Sequence, residues 1–111
     1  MTGLNSKQLE EYEQNGFVAP IDILSLDEVY EIEREIAFIE KKWPLELKGL
    51  GRYNFHLLSP KLDRVVHNSK ILDAVESIVG SNFLVAGTTL FIKEPETESF
   101  VSWHQDAKYQ G

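Results

Sequence analysis

At Gly80 the chain changes its hydrophobic period, and that change limits the folds open to it. Upstream, apolar residues recur at helical spacing between recognisable caps. Downstream, from Asn82 to Glu94, β-branched and aromatic residues crowd together as they do in strands. A helical layer followed by strands is therefore the expected order.

The clearest helix start is Ser25 with Glu28, a capping box flanked by Leu24 and Val29 as a hydrophobic staple. Ile32, Ile36, Ile39 and Trp43 then form a core-facing stripe, and Pro44 ends the helix. Glu31, Glu33, Glu35 and Glu40 read as its solvated face. An earlier helix begins after Asn5, with Gln8 completing a box, Leu4 and Leu9 as staple, and Asn15-Gly16 as the exit. Ser59-Pro60 starts a short helix through His67. Asn68 or Ser69 caps the next, which turns Leu72, Val75, Ile78 and Val79 inward and ends at Gly80. Phe17 to Ile23, broken by Pro20, is expected as an edge strand, and Leu45 to Phe55 as a loop. Asn82 to Glu94 is expected as a long strand stopped by Pro95, with Phe100 to Asp106 returning after a turn.

Composition narrows the function classes. A length of 111 residues without cysteine allows one domain, needs no oxidising compartment and favours the cytoplasm. A net charge of −7 argues against a nucleic-acid surface. No apolar run is long enough for a membrane span, and the first fifteen residues lack a signal-peptide pattern. Without cysteine, and with no triad context around Ser102, nucleophilic catalysis is poorly supported.

His104-Gln105-Asp106 is the pattern that carries chemistry. On a strand, residues two apart share a face about 6–7 Å apart, so an imidazole and a carboxylate could hold one metal ion between them. Such a pair is part of the two-histidine, one-carboxylate set that leaves open positions on non-haem iron(II). Outside that setting, a His and an Asp here would be solvated polar residues. Trp103 would face the other way and pack in the core. Lys93 would share a face with Phe83, Val85 and Phe91, and a lysine there can simply reach solvent. His56 and His67 show no ligand spacing and read as surface or hydrogen-bonded histidines.

The opening L-N-S-K-Q-L-E-E-Y-E-Q-N-G-F-V, the run N-F-H-L-L-S-P-K-L-D-R-V-V, the strand T-L-F-I-K-E-P and above all W-H-Q-D-A-K-Y give nearly the whole chain a resemblance. It resembles the amino-terminal half of the phytanoyl-CoA dioxygenase family of iron(II)/2-oxoglutarate oxygenases. That resemblance implies an α+β fold: residues 1–80 as a helical outer layer on the first strands, 82–111, of a double-stranded β-helix, a jelly-roll or cupin-like barrel left incomplete. It implies His104 and Asp106 as iron ligands, with Lys93 pairing with the distal carboxylate of 2-oxoglutarate. Arg52, Tyr53 and Asn54 would lie near substrate and Tyr109 near the site. The implied reaction uses dioxygen, converts 2-oxoglutarate to succinate and carbon dioxide, and hydroxylates a small-molecule substrate at an unactivated C–H bond. The family's second histidine and its co-substrate arginine lie far downstream of the His-x-Asp, so a chain ending at Gly111 is expected to hold iron loosely and to be inactive alone. Two alternatives stay open: a non-catalytic interaction module derived from that fold, and a metal protein that completes its site by pairing two chains.

Overall fold

The computed structural model describes residues 3–45, 53–93, 95–98 and 100–107. Helix α1 is Ser6–Asn15, α2 is Leu26–Lys42, α3 is Pro60–Val66 and α4 is Ser69–Val79, with a 3-10 turn at Phe55–Leu58. Each helix starts where its cap requires. The Asn5 side chain accepts from Gln8 N at 3.0 Å while the Gln8 side chain accepts from Asn5 N at 3.0 Å, so two orphan donors are satisfied reciprocally. Ser25 and Glu28 do the same for α2, and the Ser25 backbone and hydroxyl hold the Glu28 carboxyl below the ordinary glutamate range. Asp27 and Glu28 in its first turn and Lys41 and Lys42 in its last complement the helix dipole. Gly16, at φ 78°, closes α1 in the left-handed region that glycine enters without a Cβ penalty.

The core sits where α2 meets α3. Ile39 and Leu62 are 2% and 1% exposed, and Ile32, Ile36, Trp43 and Phe55 pack around them. The stripe read from the sequence thus faces the core. Ser59, 3% exposed, is buried beside it. Its Oγ accepts from Lys61 N at 3.2 Å, capping α3, and donates to Glu35 Oε1 at 2.6 Å. Lys61 Nζ lies 3.4 Å from the other carboxylate oxygen. Glu35, expected on a solvated face, therefore ties α2 to α3. The Ser59 hydroxyl and then Lys61 hold its carboxyl below the ordinary range, against the opposing effect of desolvation.

Helix α4 is fastened at both ends. Leu4 N donates to Ser77 Oγ at 3.0 Å, and Lys70 Nζ donates to Ile23 O at 3.2 Å. Gly3 lies so close to Ser77 Oγ and Asp73 O that a Cβ would collide with both. The α4 face expected to point inward is only partly covered, because Val75, Ile78 and Val79 remain exposed.

The expected α+β architecture with barrel strands is overturned. Among the described residues there is no strand: Phe17 to Ile23, Phe100 to Asp106 and, of the run expected from Asn82 to Glu94, the described part 82–93 are all irregular, and one isolated antiparallel bridge joins Tyr53 to Thr89. The residue types are those of strands, but β-propensity reflects packing on a pleated surface, and among the described residues these segments have no neighbouring strand on which to form one. The 82–93 segment is tied to the start of the 3-10 turn by hydrogen bonds at Thr88. Asn54 N donates to Thr88 O at 2.6 Å, Thr88 N donates to Asn54 Oδ1 at 3.3 Å, and His56 Nδ1 lies 2.6 Å from Thr88 Oγ1. The stretch from Leu45 to Phe55, expected as a loop, lies partly outside the described residues.

Leu62→Ala should cost about 2–5 kcal/mol in chemical denaturation, whereas Leu57→Ala, at an exposed position, should cost under about 0.5 kcal/mol. The Glu35 tie has a pH signature. A folded pKa below the unfolded one adds stability above the ordinary glutamate range and loses it as pH falls through the folded value. Thermal melts against pH should show Glu35→Gln less stable than the parent near neutrality, with the gap closing on acidification.

Candidate functional site

His104 and Asp106 come together without a strand to align them. His104 Nε2 lies 3.0 Å from Asp106 Oδ1, and His104 Nδ1 lies 2.7 Å from the Ser102 carbonyl oxygen. The segment 100–106 turns back on itself, so the carbonyl two residues before the histidine meets the near side of the ring and the carboxylate two residues after it meets the far side. The side chains are 34% and 80% exposed, so the edge they form faces solvent.

This arrangement constrains the protons. A carbonyl oxygen only accepts, so the 2.7 Å contact requires Nδ1 to carry hydrogen and donate it to Ser102. In the neutral ring, Nε2 then holds a lone pair 3.0 Å from a carboxylate oxygen that also only accepts. Two acceptors 3.0 Å apart need a cation between them or a proton on Nε2. A proton makes the imidazolium–carboxylate pair, and a metal ion makes a bridged pair. The distance suits both, since two donors on one edge of an octahedron, each about 2.1 Å from the ion, lie about 3.0 Å apart. A backbone carbonyl orienting the ligand ring through its other nitrogen is also the usual support for a metal-binding histidine. The residues present fit one edge of a metal's coordination sphere.

Electrostatics favour the proton. The Ser102 carbonyl foremost, and then the Asp106 carboxylate, hold the His104 pKa above the ordinary histidine range, while desolvation acts in the opposite sense. The site favours positive charge at that ring.

The other expected site residues are not gathered here. Lys93 is exposed, and the hollow beside His104 is lined by Val101, Ser102, Trp103 and His104, without Lys93. No anchor for 2-oxoglutarate is assembled around the pair by the described residues. Trp103, expected in the core, is instead fully exposed. Tyr53 and Asn54 sit at the bridge to the 88–89 segment, and Arg52 and Tyr109 lie outside the described residues. His56 bonds to Thr88, and His67 Nδ1 lies 3.0 Å from Asp63 O and 3.5 Å from Asp63 Oδ1. Among the described residues, no cluster of three or more His, Cys, Asp or Glu side chains could hold a metal, and no helix is long and apolar enough to cross a membrane. Sequence reasoning missed the Ser102 carbonyl, which contributes through its backbone and so leaves no mark on residue identity.

No family model matches the chain, and no curated protein or solved structure matches it significantly.

The His104 titration followed by NMR should have a midpoint above the ordinary histidine range. Asp106→Asn should lower it but leave part of the rise, because the Ser102 carbonyl remains the larger cause. The ion pair is formed below that midpoint and lost as pH rises through it, so any stability it adds is an acid-side effect.

Proposed function

We propose that this chain carries the metal-holding segment of an iron(II)/2-oxoglutarate-dependent oxygenase of the phytanoyl-CoA dioxygenase type, with His104 and Asp106 as two of the protein ligands. The supporting observation is the 3.0 Å approach of Nε2 to Oδ1 with Nδ1–H committed to the Ser102 carbonyl. That commitment leaves Nε2 as the metal-facing nitrogen and fixes the ring against rotation.

Each residue has a separate task in this reading. His104 presents a neutral nitrogen donor once its Nε2 proton is displaced. Asp106 supplies the negative charge that favours a divalent cation over a monovalent one. Val101 and Trp103 make the apolar side of the hollow at the ring. Lys93 enters through its place in the I-K-E-P run, as the cation that pairs with the distal carboxylate of the co-substrate. Bound iron(II) would supply the open positions at which 2-oxoglutarate and dioxygen are used to hydroxylate a small molecule. The reading concerns the metal-holding segment alone, and a cytoplasmic setting belongs to it through the lack of cysteine.

With one nitrogen and one carboxylate, iron(II) should bind weakly and exchange readily. Anaerobic equilibrium dialysis should find saturable iron(II) binding that strengthens as pH rises, because the metal displaces the Nε2 proton. His104→Ala and Asp106→Ala should each weaken it at least about tenfold. Adding 2-oxoglutarate to the anaerobic iron(II)-loaded chain should produce a visible charge-transfer absorption that Lys93→Ala diminishes. Iron binding that survives loss of both His104 and Asp106 overturns the ligand assignment. A parent chain that binds iron but shows no spectral response to 2-oxoglutarate overturns the co-substrate assignment.

A further inference from the structure

We infer that Asn15 is a site of self-modification by amide loss, held shut by α1 and opened when that helix frays. Of the chain's five asparagines, only Asn15 precedes a glycine, which offers no Cβ to hinder attack on the side chain before it. In the reaction the Gly16 backbone nitrogen attacks the Asn15 side-chain carbonyl carbon. An N–C bond forms, ammonia leaves and a cyclic imide closes. Water then opens the imide at either carbonyl, giving aspartate or the isoaspartyl isomer, whose main chain runs through the former side-chain carbon. The balance is one water consumed and one ammonia released, and solvent supplies the water. Both residues are exposed at the exit of α1. Among the described residues, no atom lies within 4 Å of the place a Cβ would take at Gly16, so the ring has room.

The fold sets the rate. Gly16 N–H donates to Tyr12 O at 2.8 Å, closing the last turn, and Asn15 is held in helical backbone as the final residue of α1. Attack needs that nitrogen freed and the backbone turned out of the helix, so the reaction runs from an open last turn. Little keeps the turn closed. α1 has no buried side chain and no basic residue in its last turn, and its capping box lies at the other end. Both products oppose reclosure. A carboxylate at residue 15 puts negative charge at the negative end of the helix dipole, in a turn that already holds Glu13. The isoaspartyl product also inserts a carbon into the main chain ahead of Gly16, which takes its N–H out of register with Tyr12 O. The step is therefore one-way: an opened turn is converted into a form that stays open.

Incubation of the full chain at mildly alkaline pH, followed by peptide mapping with mass spectrometry, tests this. Asn15 should convert severalfold faster than Asn5, Asn54, Asn68 or Asn82, and more slowly in the folded chain than in the same chain held in urea. Asn5→Ala removes the cap at the far end of α1 and should speed the conversion severalfold, whereas Asn15→Gln should suppress it. Hydrogen exchange on the separated isoaspartyl species should show lost protection at Gly16 and along α1. Asn15→Asp, which adds the charge alone, should lose less. An Asn15 still intact in the folded chain when the urea sample has converted overturns the site. Equal rates in the two states, or no acceleration in Asn5→Ala, overturn gating by α1. Unchanged exchange in the isoaspartyl species overturns the one-way character.

Discussion

The contact between Ile39 of α2 and Leu62 of α3 is the interaction on which the helical body depends. With the Ser59 hydroxyl beside them, these are the most deeply buried residues among those described. Their position explains why the adjoining polar groups are so fully satisfied. Ser59 cannot be buried without a partner, and it has two, because its oxygen caps α3 and its hydrogen reaches Glu35. One side chain thus starts a helix, crosses to the neighbouring helix and fixes a carboxylate whose other oxygen faces Lys61. A core this small leaves little margin, so satisfied polar groups at its edge matter as much as the apolar contact.

Local signals in this chain were readable because they act over a few residues. Asn5 with Gln8, Ser25 with Glu28 and Ser59 with Pro60 each encode a cap within one turn, Asn68 and Gly80 cap the two ends of α4, and each helix starts or ends at those residues. The strands were misread for the complementary reason. Phe83, Val85, Phe91 and Phe100 have side chains suited to a sheet, but a strand exists only as one member of a pair, and pairing is not a property of the segment. Glu35 was also hidden, since its partner Ser59 is twenty-four residues away and nothing in the intervening sequence marks the link.

The His104–Asp106 pair lies between these cases. The expectation that an imidazole and a carboxylate two residues apart would meet was tied to a strand, where alternation puts them on one face about 6–7 Å apart. They do meet, closer than a strand would bring them, because the backbone folds so that Ser102 and Asp106 contact opposite sides of the same ring. The motif therefore encodes its own geometry within five residues. Trp103 follows from the same turn. With no sheet beneath it, the indole has no apolar layer to enter and stands in water next to the ligand edge.

That exposure links fold to function more closely than the helices do. A helical body with a satisfied polar rim needs nothing further from solvent, and the tie at Thr88 holds the following segment to it by backbone bonds and one hydroxyl. Beyond that tie the chain carries Phe91, Phe100, Val101 and Trp103 in the open, together with the His104–Asp106 edge. Each exposed apolar side chain loses free energy to water that a covering surface would recover. The imidazole–carboxylate contact needs no such cover, because a proton on Nε2 satisfies both of its atoms where they stand. The polar pair is thus locally complete while the aromatic groups around it are not, and the two halves of the segment answer to different neighbours.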